Sequence, residues 1–362
     1  MLSSSATQCG STCLFTSAFS IAPWVNYLAG FGAILLTFLA GTEIDAQIIR
    51  KNFWASMSIG VVGFLVPYLG VLAYCRFVAD WTWPKTQIAA LSLSTTSVAV
   101  VYAVLVETGL SRTEIGKIIL AACFINDLGT VLALGLIFAN YNIWLAAFTA
   151  ATAVCLWFLP RFAPWFFGRI GHRVSEPETK FIALILFLLG GMGSIAGSEA
   201  VLPAYLVRML APTFQKDPGL PHRMRIVTFT MLTPFYFLKA GSLVDGKAVL
   251  AGAGLIGIFL ALKMATKFIG ILPLTRVFNF GHREGMYTTL LMSTGLTFGT
   301  ICALYGLTNG IIDQQQYTVL VTTVIASAVV PTLIAQRWFE PSREPAAREE
   351  ASYAYNQDPA GE

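Results

Sequence analysis

The sequence predicts an all-α, polytopic membrane protein of about eleven transmembrane helices, arranged as inverted repeats with two crossed discontinuous helices. Three observations predict it. Of 362 residues, 56% are hydrophobic and 12% charged, with a mean hydropathy of +0.69; a soluble domain is about one quarter charged. Lys and Arg collect in alternate loops. Two apolar segments are interrupted by Ser, Thr and Gly at matched positions. In lipid, backbone polar groups must be satisfied within the segment, and long apolar runs do this as helices.

The apolar segments run over about 22–42, 53–78, 86–106, 116–138, 143–160, 180–196, 199–212, 226–243, 248–272, 285–306 and 316–338. The sixth and seventh are short and nearly continuous. Lys and Arg placement tests this count. With the C-terminus cytoplasmic, only Arg76, Lys85, Lys239 and Lys247 of the 23 basic residues fall outside. Lys263 and Lys267 lie inside the ninth segment, and the other seventeen fall in cytoplasmic loops and the tail. Eleven spans with the N-terminus outside and the C-terminus inside fit this bias; a plasma (inner) membrane location is the expectation. Residues 1–21 read as a tail; the first twenty carry no charge and so lack a signal peptide's basic region. Residues 340–362, rich in Pro, Ala and Glu, read as a disordered cytoplasmic tail too short for a nucleotide-binding domain.

Other chemistry is sparse. The net charge of +4 is spread over short loops, which is not a nucleic-acid footprint. The six cysteines form no metal-type cluster, and only Cys9 and Cys13 are spaced for a local disulfide. His172, His222 and His282 each stand beside an arginine in a polar loop. Glu199 reads as interfacial. There is no HExxH, and no serine in a Gly-x-Ser-Gly setting, so an intramembrane enzyme is disfavoured.

The fourth segment carries Asn126 and Asp127 at its middle, about ten residues from either end of Ile115–Phe138. A carboxylate at that depth costs roughly 2.5–3.5 kcal/mol on insertion scales, so an intramembrane acid marks an ion or proton site by default. The competing reading is an Asp held by a neighbour for structure. Lys267 in the ninth segment is as costly and must pair, snorkel or lose its proton. Lys263 sits one turn away on the same face, either as a core charge partner or on the solvent side.

The third segment contains Leu91–Val101, LSLSTTSVAVV, and the tenth contains Leu290–Thr300, LLMSTGLTFGT. Ser94-Thr95 and Ser293-Thr294 are 199 positions apart; Gly109-Leu110 and Gly306-Leu307 are 197 apart. Segments two to four therefore pair with nine to eleven, in opposite orientations. This is how secondary transporters build midplane sites from broken helices. Such a break presents carbonyls, hydroxyls and helix-dipole ends to an ion. Tight helix packing by small residues is the structural alternative. The second repeat has six spans and the first only four before the linking fifth, so two N-terminal spans are expected to be missing.

These residues resemble the monovalent cation:proton antiporter superfamily, in its bacterial sodium/proton exchanger and Kef-like potassium/proton branch. The resemblance rests on the Thr95-Thr96-Ser97 break, the Asn126-Asp127 pair, and Pro234-Phe235-Tyr236-Phe237 followed by Ala240-Gly241 and Asp245. Lys267-Phe268-Ile269-Gly270 and the break marked by Ser293, Thr294, Gly295 and Gly299 complete it. It covers about residues 30 to 338. It implies a transmembrane exchanger domain over 22–339. Core helices would lie at about 53–138 and 248–338, scaffold and dimer helices at about 22–42 and 180–243, and a linker helix at about 143–160. The two absent helices help form the family's dimer interface, so monomer and homodimer both stay open.

The resemblance implies a secondary active transporter exchanging Na+ or K+ for protons by alternating access. Asp127 would carry cation or proton in competition, as the site of the one bound metal ion. Asn126, Thr95, Thr96 and Ser97 would supply neutral oxygens. Many electrogenic relatives carry two adjacent aspartates; Asn-Asp resembles the electroneutral exchangers. No enzymatic activity or resident cofactor is expected, and the partners are the lipid bilayer, monovalent cations and protons. The alternatives are a sodium-coupled symporter for an organic anion on a related inverted-repeat fold, a channel-like potassium efflux module, and a truncated, non-transporting or regulatory paralogue.

Overall fold

The computed structural model describes residues 23–40, 52–138, 143–170, 176–196, 223–224 and 226–341. Among them the fold is all-helical. The tail over 1–21, the Cys9/Cys13 pair, His172, His222, Glu199, the segment 199–212 and the tail beyond 341 lie outside the described residues.

The chain divides into two compact units, residues 1–43 with 135–245 and residues 44–134 with 246–362. The first holds α1 (Pro23–Ala40), α6 (Ile143–Ile170), α7 (Pro177–Ala196), and a π-turn, Thr228–Leu232, running into α8 (Thr233–Ser242). α1 packs on α7 and α8, and α6 on α7. Aromatic rings make these seams: Phe31 stacks on Phe187 with centroids 3.7 Å apart, and Phe162 and Phe166 of α6 flank Phe181 of α7. The sequence reading ends the fifth segment at Pro160, whereas α6 continues to Ile170 with a 42° bend between Cys155 and Trp157. A proline ring clashes with the carbonyl four residues back, here residue 156, so the helix bends there instead of stopping. Pro is tolerated this way in membrane helices.

The second unit holds α2 (Phe53–Phe77), the broken pair α3 (Trp83–Ser94) and α4 (Val98–Glu107), and α5 (Glu114–Ile137), which ends in the first unit. It continues with α9 (Gly246–Ala251), α10 (Ala253–Val277), the broken pair α11 (His282–Met292) and α12 (Thr297–Thr308), and α13 (Gln314–Trp338). Counting each broken pair once, these give six elements long and apolar enough to cross a membrane: Phe53–Phe77, Trp83–Glu107, Glu114–Ile137, Ala253–Val277, His282–Thr308 and Gln314–Trp338. They coincide with sequence segments two to four and nine to eleven. α2 and α10 carry apolar residues both outward and inward: Leu69 and Ile269 are exposed and Ile59 and Ile271 fully buried, while α10 also buries Lys263 and Lys267. A helix between protein and lipid needs no polar face.

Charged and turn residues set the ends. Pro84 opens α3, where its missing N–H costs nothing. Gly109, at φ 77°, closes α4 in the left-handed region. Asp313 caps α13 by accepting from Gln316 N, and Gln316 Oε1 accepts in return from Asp313 N–H.

Inside the unit, α10 packs on α2, α11 and α13; α3 on α2, α12 and α13; and α12 on α13. Gly60 sets the α2–α5 approach, because a β-carbon there would lie 2.7 Å from Ile125 Cβ and 2.8 Å from Ala122 O. A core cluster of this unit includes Ile59, Leu105, Ile119, Leu290 and Leu291.

Candidate functional site

Both helix breaks arise from the same local chemistry. At the first, Thr95 and Ser97 take extended backbone conformations that stop α3 and start α4. The last carbonyls of α3 are freed, and nearby hydroxyls take them up: Ser94 Oγ donates to Leu91 O and Thr95 Oγ1 to Ser92 O. At the second, Ser293 Oγ donates to Thr289 O and Thr294 Oγ1 to Leu291 O. Short hydroxyl side chains bond backward onto their own helix in this way. A break is affordable in a membrane when side chains satisfy the backbone it releases.

The two breaks are bonded to each other. Thr96 Oγ1 donates to Met292 O, the end of α11, at 2.9 Å. Ser92 Oγ donates to Gly299 O, in the first turn of α12, at 2.7 Å. Gly299 is required by this contact, since a β-carbon would lie 2.7 Å from Ser92 O and 3.0 Å from Thr95 Oγ1. Gly295 is likewise closed in by Thr95 and by the Lys263 ammonium.

α5 brings Asn126 and Asp127 to the first break. Asn126 Oδ1 accepts from Thr96 N at 3.0 Å. The Asp127 carboxylate accepts from the backbone N–H of Val98, the first residue of α4. A carboxylate at a helix N-terminus meets both an unpaired donor and the positive end of the helix dipole. Three atoms here are left over. Asp127 Oδ1, Asn126 Nδ2 and Ser97 Oγ are buried without a hydrogen-bond partner. Asp127 is 1% exposed and the other two residues are fully buried. Buried polar atoms are nearly always paired, so a cluster of free ones calls for a ligand or water.

The two lysines of α10 reach different breaks. Lys267 Nζ donates to Thr96 Oγ1 at 2.9 Å, so Thr96 joins α5, α10 and α11 through one side chain and one N–H. Lys267 acts on Asp127 through space and makes no ion pair with it within contact distance. Lys263 is fully buried, not on a solvent side, and donates to Ser327 Oγ of α13 at 3.0 Å. Ser327 Oγ also lies 2.8 Å from Val324 O and 3.4 Å from Gly295 O.

The structure therefore collects Asp127, Asn126, Thr96, Ser97 and Lys267 around the first break. It places Lys263, Gly295 and Ser327 at the second, while Thr95 and Gly299 lie where the breaks cross. Ser293 and Thr294 spend their hydroxyls on their own helix. Sequence reasoning missed Ser92, Met292 and Ser327. Ser327 had a signal: it lies 200 positions after Asp127, near the repeat offset. Among the described residues no group of three or more His, Cys, Asp or Glu side chains is placed to hold a metal ion.

A model of the family described as sodium/hydrogen exchanger, transmembrane, matches residues 9–340. The chain is 24% identical over 327 residues to the probable Na(+)/H(+) antiporter 3 of Methanocaldococcus jannaschii, covering 87% of this chain and 84% of that protein. It is 26% identical over 377 residues to the K(+)/H(+) antiporter 1 of Saccharomyces cerevisiae, covering 94% and 42%. Cation/H(+) antiporter 18 of Arabidopsis thaliana is 24% identical over 351 residues, covering 91% and 43%. The chain thus spans under half the length of these yeast and plant relatives. Its fold matches the sodium proton antiporter MjNhaP1 of Methanocaldococcus jannaschii at pH 8, with a TM-score of 0.66 and 13% identity, over 90% of this chain and 88% of that one.

Proposed function

The chain belongs to the transmembrane sodium/hydrogen exchanger family, and from that premise we propose that it exchanges a monovalent cation for protons across a membrane by alternating access, with Asp127 carrying each in turn. The observation that carries this reading is the set of unpartnered buried atoms at the first break: Asp127 Oδ1, Ser97 Oγ and Asn126 Nδ2. One carboxylate with a free oxygen holds a proton or a hard monovalent cation, but not both well. That competition couples the two fluxes.

In this scheme Ser97 Oγ and the Asn126 amide complete the cation's neutral shell. Thr95 and Thr96 hold the break open, and Val98 N–H fixes the carboxylate. Lys267 holds Thr96 and sets the field at Asp127, and Lys263 serves the second break. The core helices are those of the second unit, and the scaffold helices those of the first. The exchanger works in the plasma membrane with its C-terminus cytoplasmic, and it draws on no cofactor. With Asp127 as the single titrating carrier, one proton moves per cation and the cycle is electroneutral. The relatives' names include both Na+ and K+ exchange, so either ion fits the cargo class.

The test uses everted vesicles carrying a respiration-generated pH gradient and a pH-sensitive dye. Sodium, potassium and lithium are added in turn. At least one is expected to collapse the gradient. No response to any of them, from protein shown to be inserted and folded, would overturn the exchange reading in favour of a regulatory role. An electroneutral cycle also predicts no uptake when a voltage is imposed without an ion gradient. A net charge would respond by about 2.3 kcal/mol per 100 mV.

Lys267 gives a separate prediction. Lys267→Met removes the donor to Thr96 Oγ1 and the charge facing Asp127. Leaving one buried charge without compensation costs on the order of 3 kcal/mol. The melting temperature in detergent is expected to fall by several degrees. The double variant Lys267→Met with Asp127→Asn should recover most of that loss. Additive losses in the double-mutant cycle would show that the two charges are uncoupled.

A further inference from the structure

Beside Asp127 the structure holds a sulfur pair that the proposed exchange leaves idle. Cys123 Sγ donates to Met292 Sδ at 3.4 Å, and both residues are fully buried. Cys123 lies on α5 one turn before Asp127, on the same face. Met292 ends α11 at the carbonyl that takes the Thr96 hydroxyl. Met292 Cε and Asn126 Nδ2 border one spot above Gly63, 3.4 and 3.7 Å from where a Gly63 β-carbon would stand. Cys123 also lies within electrostatic range of both Asp127 and Lys267. The unpartnered Asn126 Nδ2 and Asp127 Oδ1 stand on the same helix, three and four residues after Cys123.

We propose that Cys123 and Met292, with the Asp127 carboxylate, form a binding site for soft monovalent cations of the silver or cuprous class. Thiolate and thioether sulfurs select such ions, whereas alkali cations prefer the oxygens of Asp127, Asn126 and Ser97. With the zinc–thiolate distance of about 2.3 Å as the scale, an ion bonded to both sulfurs needs them up to about 4.6 Å apart. The present 3.4 Å must therefore open. The unbranched Met292 side chain, with its several rotatable bonds, gives that movement. Binding breaks the Cys123 S–H bond and forms the metal–sulfur bond, and one proton leaves for each ion bound. A thiophilic ion held there would sit beside the carboxylate proposed to carry the transported ion. The competition with sodium rests on the proposed exchange; the binding itself does not.

Silver nitrate in chloride-free buffer is the probe, with equilibrium dialysis and metal analysis on the purified full chain. In a variant whose other five cysteines are serine, one silver ion per chain is expected. Cys123→Ser should abolish it. Met292→Leu, which keeps the volume, should weaken it at least ~10-fold. If the cysteine-poor variant does not fold, Cys123→Ser in the otherwise native chain should lower bound silver by one. Sodium should weaken silver binding in proportion to its concentration. An unchanged silver count in Cys123→Ser, or unchanged affinity in Met292→Leu, would overturn the proposal. Silver binding by a protein that moves no protons for any cation would overturn the exchange reading and leave this site standing.

Discussion

Asp127→Asn is expected to reduce cation-dependent proton movement to the level of vesicles lacking the protein, without loss of folded material. The substitution is nearly isosteric. An amide oxygen still accepts from Val98 N–H, so the anchor at the start of α4 survives. What disappears is the negative charge and, in the proposed cycle, the proton that the carboxylate carries. An amide avoids the cost of burying a carboxylate, which offsets the loss of the charge facing Lys267, and Lys267 keeps its bond to Thr96, so the melting temperature should stay close to native. Activity and stability therefore move independently, which a purely structural Asp would not allow. The readout is dye dequenching in everted vesicles alongside thermal denaturation in detergent. Exchange persisting at near-native rate in Asp127→Asn would remove Asp127 from the carrier role. Asp127→Glu keeps the charge but lengthens the arm past its Val98 anchor. Weak exchange with poorer cation affinity is the expected result.

Gly299→Val should be strongly damaging in the second unit. A β-carbon at this position meets Ser92 O at 2.7 Å and Val324 Cγ2 at 2.9 Å. Backbone on one side and a packed branched side chain on the other leave no easy retreat. The α3–α12 seam would open and the Ser92 to Gly299 hydrogen bond would break. Overpacking costs about 1–3 kcal/mol, and a stranded buried hydroxyl adds about 1–3 kcal/mol. Little folded protein is expected, with a sharply lower melting temperature in what is recovered. Gly254→Val is the control, because nothing lies within 4 Å of a β-carbon there. Its stability should stay within about 0.5 kcal/mol of the native chain. Equal damage from both would mean that crowding at the crossing is not the cause.

The spans of the second unit were legible in the sequence because length without charge is a local property. Phe53–Phe77 and Gln314–Trp338 declare themselves from their own residues. The breaks were legible too, since Ser94-Thr95 and Ser293-Thr294 interrupt otherwise apolar runs and repeat at matched spacing. Asp127 stood out through the cost of burying its charge. The partners of the lysines were not legible. Ser327 becomes the acceptor of Lys263 only because α13 packs against α10, and Thr96 meets Met292 only where two distant segments cross. Such pairings join residues 64 and 196 positions apart, which spacing within one segment cannot report. α6 was misjudged in extent for a different reason. Proline reads as a helix end, but within a membrane helix it also permits a bend and continuation.

The stitching of the two breaks has a mechanical consequence. Ser92 to Gly299 and Thr96 to Met292 tie the crossing at two points, and Lys267 clamps one of them. A pivot placed there would have to break buried bonds on every turnover, each one dear in a low-dielectric interior. The crossing thus behaves as a rivet within the six-span unit. The give that any transport stroke requires must come from the connections outside the rivet.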